Sequence, residues 1–292
     1  MSGELKSDIR VLNARSADNT SKQTTVPTAG KQQDAVSVSQ QLQKLMLRMK
    51  GEFMKEDGTG VNYSALKLSD VFKSYKAITQ DLIGISLETL DRTQKMVFFI
   101  NIYNALTIHG LVECDKLPNS VLDIRQFWRN TAYNISGHIF SLDDIEHGIL
   151  RGNRPHPAAN DPHFSSKDPR VKFVVEPMDP RIHFALVCGA KSCPPINVYS
   201  EKNLDHALTM ATRNFVEQET TVNMKFKEIE LSRIFQWYRT DFGADEIEAV
   251  RWTLKYLCED KVYGIETMLD VLLLEGGVRI SYSDYNWQLN KA

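Results

Sequence analysis

Apolar positions recur at helical spacing through most of the chain and gather into short runs in the rest. Residues 36–54 place Leu42, Leu45, Met46, Met49 and Phe53 on one face and end at the Asp57-Gly58 break, which predicts a helix. Residues 63–75 continue helically, with Leu66, Val71 and Phe72 inward. Residues 87–112 carry the strongest signal. Between Met96 and Leu111 the apolar side chains surround the axis, as in a helix buried on all sides. Asn101, Asn104 and His109 interrupt that segment, so it reads as a core helix and not as a membrane span. Asn101 and Asn104 stand at i and i+3 and share one face. Buried amides must find partners, so they either tie neighbouring loops or orient a catalytic group.

Further along, Ser136-Gly137 separates two short apolar runs, 133–135 and 138–140, as in a hairpin. Ser141 then suits the N-cap of a helix over 142–151. At about 100° per residue, Leu142, Ile145, Ile149 and Leu150 form one stripe of it. Glu146 falls inside that stripe and His147 on its flank. A carboxylate on a buried face needs a partner, either an arginine (Arg125, Arg151 and Arg181 are available) or a catalytic role. Residues 152–170 hold five prolines or glycines and two histidines without periodicity, a long loop of the kind that often serves as a lid.

The run 182–187, bounded by Pro180 and Gly189, reads as a buried strand. It leads into the turn Gly189-Ala190-Lys191-Ser192, which separates Cys188 from Cys193. A helix is expected from Ser200 to about 219, a second hairpin over 222–226 and 228–231, and a short aromatic helix capped by Ser232. Helices over 245–257 and 265–274 and a last strand at 278–282 complete the chain. Helices dominate the first half and a small mixed or antiparallel sheet collects in the second, which is α+β, not βαβ alternation.

Residues 1–36 are rich in Ser, Thr, Gln and Lys and poor in aromatics, so they read as a disordered tail before a single globular domain over 37–292. Of 292 residues, 42% are hydrophobic and 25% charged, with a net charge of -2, so neither nucleic acid nor a polybasic membrane contact is indicated. Four cysteines without a secretory leader point to reduced thiols in a cytoplasmic protein.

Thiol chemistry needs a Cys of low pKa, a His to take its proton and a polar group to orient that His. Cys188 and Cys193 supply the sulfur, His147 the base, and Glu146, Asn101 or Asn104 the orienting group. Of the two cysteines Cys188 is the expected nucleophile. The amides that follow it can form an anion-binding nest with Lys191 nearby, whereas Cys193 precedes two prolines that lack N–H groups. Cys114 and Cys258 read as buried packing thiols. Metal binding by His183, Cys188 and Cys193, with His156 and His163, is the weaker alternative because zinc clamps use shorter cysteine spacings. Walker, Rossmann and Cys-x-x-Cys signatures are absent, and no cofactor or metal is expected.

Four blocks carry a family resemblance: Phe99-Ile100-Asn101-Ile102-Tyr103-Asn104-Ala105-Leu106, Ile145-Glu146-His147-Gly148-Ile149-Leu150-Arg151, the pair His183-Phe184-Ala185-Leu186-Val187-Cys188-Gly189 and Ser192-Cys193-Pro194-Pro195, and Phe235-Gln236-Trp237-Tyr238-Arg239-Thr240-Asp241-Phe242. Together, over about 87–245, they resemble the domain-of-unknown-function family 547, and 285–290 resembles its C-terminal block. The resemblance implies a papain-like or transglutaminase-like cysteine fold, with Cys188 in the Cys-Gly block and Glu146 and His147 in the Glu-His block. The leading expectation is therefore a cysteine hydrolase or acyl-transferase acting on a peptide or amide, of peptidase or amidase type. The competing one is a catalytically silent interaction module of the same fold with a protein partner.

Overall fold

The structure, a computed structural model, describes residues 9–14, 34–55 and 60–292. The chain forms two compact units where the sequence suggests one. The first draws on residues up to 178 with 187–202 and 287–292, and the second on 179–186 and 203–286. Helices dominate, and each unit adds a small mixed three-stranded sheet, so the fold is α+β.

The first unit is built on four helices: α1 (Ala35–Phe53), α2 (Tyr63–Leu68), α3 (Asp70–Thr79) and α4 (Arg92–Val112). The segment expected to run unbroken over 63–75 divides at Ser69, which ends α2 and caps α3 through its hydroxyl. Helix α4 begins five residues later than its apolar pattern suggests. Asp91 and Gln94 form a reciprocal capping box there, and a cap fixes a helix start more firmly than apolar periodicity does. Every residue of α4 from Met96 to Val112 is buried. Among the described residues this helix is long and apolar enough to cross a membrane, yet 94% of that window is buried inside the protein.

After α5 (Phe127–Asn130) the chain forms the expected hairpin. Strands β2 (Thr131–Ile135) and β3 (His138–Ser141) pair antiparallel, with Tyr133 opposite Phe140. Ser136 and Gly137 turn it with positive φ at both positions, the geometry that matches the twist of the strands. The third strand of this sheet is β1, Arg10–Val11, parallel to β2. Thus the tail expected over 1–36 does not hold for residues 9–14. The side chain of Asn13 is buried and explains why: its Nδ2 donates to the carbonyls of Thr79 and Asn134, and its Oδ1 accepts the Asn134 N–H. A polar residue that completes three backbone bonds orders a segment that composition alone assigns to solvent. The rest of that expected tail, up to 33, lies outside the described residues.

The second unit contains α6 (Leu204–Glu219), an antiparallel pair of β4 (Thr221–Asn223) and β5 (Glu228–Ser232), and β6 (Arg279–Ser283) parallel to β5. Helices α7 (Arg233–Trp237), α8 (Arg239–Phe242), α9 (Glu246–Thr253) and α10 (Glu259–Leu274) complete it. Phe184, Phe215, Phe235, Phe242 and Trp252 pack as one aromatic core. The expected strand over 182–187 is instead a 3₁₀ turn, Pro180–Phe184, started by Asp179, whose side chain accepts the Arg181 N–H. A short buried apolar run reads alike in a strand and in a helical turn, and here the Asp-Pro start decides for the turn.

Candidate functional site

Two polar constellations in the first unit meet α4 at neighbouring residues. The first is the cysteine turn. Asn104 Oδ1 accepts the Val187 N–H at 2.9 Å. One helical turn earlier, Asn101 holds Tyr199 on both sides, accepting its N–H at 3.1 Å and donating to its carbonyl at 2.8 Å. The shared face of these amides, visible in the sequence, therefore clamps both ends of the segment from Val187 to Tyr199. Asn290 N–H reaches the Gly189 carbonyl, and Lys191 N–H donates to the Gln288 carbonyl, pinning the middle from the C-terminal segment. Gly189 turns with φ +85, and a Cβ there would lie 2.5 Å from Leu111 Cδ1, so both conformation and space require glycine.

Within this clamped segment Cys188 and Cys193 are joined by a disulfide. The expectation of reduced thiols is corrected for this pair. The reversal at Gly189 and the Cys193 N–H bond to the Ala190 carbonyl bring the sulfurs together, a proximity that cysteine count and chain class do not encode. The expected amide nest after Cys188 is partly spent, because the Lys191 N–H serves Gln288. One amide does point at sulfur: the Cys188 N–H donates to Cys193 Sγ at 3.0 Å. Cys193 also lines a cavity of about 430 Å³, bordered by Lys55, Lys191, Lys291 and Pro195.

The remaining cysteines also differ from expectation in one case. Cys114 is half-buried, bonds the Gly110 carbonyl, and burial raises its pKa. Cys258, expected in the core, is exposed at the start of α10, where its backbone N–H is taken by Glu217.

The second constellation surrounds Glu146 and His147. Residues 144–150 wind as a π-helical segment, with the Arg151 N–H bonded to the Glu146 carbonyl five residues back, not as the expected α-helix. Its start is as anticipated: Ser141 Oγ accepts the Asp144 N–H, and Asp144 accepts the Ser141 N–H. Glu146 is 9% exposed and accepts the Tyr103 hydroxyl at 3.0 Å. One partner is therefore the phenol next to Asn104 on α4, which the sequence did not suggest. His147 is buried, and its Nδ1 accepts from Arg151 at 2.9 Å. Arg151 also donates to the Pro155 carbonyl. Burial, the largest cause, and Arg151 beside it push His147 down to about 3, against the opposing pull of Glu146. With its basicity lowered and its Nδ1 lone pair taken by the guanidinium, this imidazole is poorly set to take a proton from a thiol.

Asp143, His147 and His156 each place one ligand-type atom within 4.8 Å of the others. They are the described residues that could hold a metal ion by type. Their tautomers argue against it. Nδ1 of His147 accepts from a guanidinium and Nδ1 of His156 accepts the Ala158 N–H, so each neutral ring carries its proton on Nε2. Metal-bound histidines instead donate from their second nitrogen. Burial, with Glu146 nearby, raises Asp143 to about 7. Burial would also raise Asp144, but His163, the Ser141 N–H and Arg170 hold it below its ordinary value.

A second cavity, of about 910 Å³, is lined by Trp128, Arg129, Asp143, His156, His163 and Arg170. The loop expected as a lid forms part of its wall and is tied down along its length. Asn153 bonds both backbone groups of Phe164, and His163 reaches Asp144. Arg170 grips Asp168, Asp144 and the Ile139 carbonyl. Phe164 packs the outer edge of its ring against Gly148, where a Cβ would meet it at 2.3 Å.

In the second unit His183, a candidate metal ligand by sequence, makes a fully buried pair with Asp241 at 2.8 Å and stacks on Tyr238 at 4.0 Å between centroids. Its histidine and aspartate lie in two of the four family blocks, the one signal that could have linked them. The structure thus brings Asn104, Cys188 and Cys193 together, and separately Glu146 with His147. Tyr103 and Asp143 are the neighbours that sequence reasoning did not bring to these clusters.

Residues 87–216 match the family model described as "Protein of unknown function, DUF547", which supports the resemblance of the chain to that family. The first three blocks fall inside the match, and the block at 235–242 lies beyond it. No curated protein and no solved structure matches the chain.

Proposed function

We propose that the chain is a thiol-dependent enzyme whose centre is the Cys188–Cys193 pair, and that its reaction is thiol–disulfide exchange with a peptide or protein disulfide. The observation that carries this reading is the Cys188 N–H directed at Cys193 Sγ, on a sulfur that also lines a cavity. A backbone donor and nearby lysines favour a thiolate over a thiol, and the thiolate is the attacking species. Reduced Cys193 attacks a substrate disulfide, forms a mixed disulfide and expels one substrate thiolate. The thiolate of Cys188 then attacks Cys193 Sγ, closes the internal disulfide and releases the second substrate thiolate. Two electrons pass to the substrate, and a cytoplasmic dithiol reductant returns the pair to its reduced form. The clamp by Asn101 and Asn104 supports the reading, since exchange needs the two sulfurs held at a fixed approach.

A cysteine hydrolase or acyl-transferase on a peptide or amide starts from the same thiolate and is the second reading. The cavity beside Cys193 favours it, being large enough for a short peptide segment. Exchange ranks first because it needs no general base, and His147 is a weak base whose Nδ1 is held by Arg151.

The test uses the full chain carrying Cys114→Ser and Cys258→Ser, reduced and then mixed with a peptide disulfide. Cys188→Ser should accumulate a mixed disulfide at Cys193, seen as a mass increase on that peptide, and Cys193→Ser should not. Trapping at Cys188 alone would reverse the roles. Failure of both variants to trap, with the dithiol also inert to iodoacetamide, would leave the silent interaction module.

A further inference from the structure

We infer that the disulfide accepted by Cys193 carries negative charge close to its sulfur, as in a peptide with acidic residues beside the cysteine. This inference rests on the exchange reading above and names its substrate class. The cavity beside Cys193 is lined by Lys55, Lys191 and Lys291 and, among the described residues, by no carboxylate. Lys191 Nζ bonds Gln288 Oε1 at 3.1 Å. Lys291 Nζ bonds the Pro118 carbonyl and Asn119 Oδ1, at 3.1 and 2.9 Å. Those acceptors are neutral, so they orient the two ammonium groups without cancelling their charge. The rest of the lining is apolar or uncharged: Met54, Val187, Ala190, Pro194, Pro195, Ile196 and Asn290. A concave site bordered by one sign of charge focuses its field and raises the local concentration of oppositely charged substrate.

The placement is also unlike the chain as a whole. Formal net charge is -2, so a general attraction for anions does not follow from composition. The positive field is local to the sulfur that reacts. It acts twice, favouring the Cys193 thiolate and selecting which disulfide approaches it. In the mixed disulfide, a substrate carboxylate near Lys191 or Lys291 would also hold the complex in place while Cys188 closes.

Three small disulfides of matched length separate charge from reactivity: dithiodipropionate, bis(2-hydroxyethyl) disulfide and cystamine, which are anionic, neutral and cationic. Their rates with the reduced full-length protein, carrying Cys114→Ser and Cys258→Ser, are divided by their rates with free cysteine. We expect the corrected anionic rate to exceed the cationic one by about tenfold or more at low salt. In 1 M salt, where the screening length is about 3 Å, the ratio should fall towards one. Lys191→Gln with Lys291→Gln should reduce the ratio in the same way. The salt titration on the chain with both lysines gives the answer independently should that variant fold poorly. Equal corrected rates, or a cationic preference, would overturn the inference and leave exchange intact. No reaction with any of the three would instead remove the exchange reading on which it stands.

Discussion

The cysteine turn and the Glu146–His147 cluster hang from adjacent residues of one helix, Asn104 and Tyr103, yet they are opposite kinds of polar site. Around Glu146 and His147, side chains bond one another in the interior, and the imidazole is held neutral by burial and a guanidinium. In the cysteine turn the bonds fall on the backbone at either end, and a half-exposed sulfur faces a charged cavity. The first arrangement joins side chain to side chain, and the second fixes a backbone turn. A buried Glu-His pair in sequence attracts a catalytic reading, and a structural ion or hydrogen-bond network is the alternative that the same burial allows.

The sharpest way to break this contrast is Asn104→Ala. It leaves the buried Val187 N–H without its acceptor, for a loss of about 1–3 kcal/mol in urea unfolding. It should also slow alkylation of Cys193 in the reduced protein, because the turn loses its clamp. Unchanged alkylation with lowered stability would mean that the clamp does not serve the sulfur. Tyr103→Phe is the matched control one residue away. It removes the hydroxyl bonded to Glu146 and should lower stability by a similar or smaller amount, about 1–2 kcal/mol, with Cys193 reactivity unaltered. A fall in Cys193 reactivity would join the two constellations into one working site.

Gly189→Ala tests the turn without touching either amide. A positive φ and the close approach to Leu111 should together cost about 1 kcal/mol or more, and reduced protein should close its disulfide more slowly. Wild-type closure rates in a stopped-flow oxidation would show that the reversal at Gly189 does not govern sulfur proximity.

The other side of the comparison is tested by pH, at Asp143 on the wall of the second cavity. Its carboxyl titrates at about 7 in the fold and at 3.8 as the reference value. The folded state therefore holds the proton more tightly. Asp143 adds stability fully below about 3.8 and loses it as pH rises through 7. His147 runs the other way. Its pKa drops from 6.5 to about 3, so the unfolded chain takes the proton first and stability falls as pH descends from 6.5 towards 3. Asp143→Asn should raise the melting temperature at pH 8 and have little effect at pH 4. An effect of equal size at both would show that its carboxylate is not disfavoured by the fold.

Much of this architecture can be read from apolar spacing. Helix α1 occupies the expected span within a residue, the β2–β3 hairpin turns at Ser136-Gly137, and Ser232 caps α7 as anticipated. The i, i+3 spacing of Asn101 and Asn104 also foretold one shared face, and tying loops was one of its two stated meanings. Other features depended on partners distant in sequence. Residues 9–14 looked like part of a solvated tail because three bonds to Asn13 come from Thr79 and Asn134. Cys258 looked buried from its apolar neighbours, but a helix start faces solvent there. The burial of Glu146 was inferred from an α-helical stripe, and it holds although the segment is π-helical.

By itself the sequence determined the α+β class, the buried character of α4 and the residues at which chemistry could occur, because local spacing and side-chain type are properties of short stretches. Which of those residues meet was decided by tertiary structure. One partner of Glu146 is 43 positions away, the acceptor for Val187 is 83 away, and the lysines flanking Cys193 come from three separate segments. Such pairings require long loops to close, and their free energy comes from burying surfaces that no local pattern specifies.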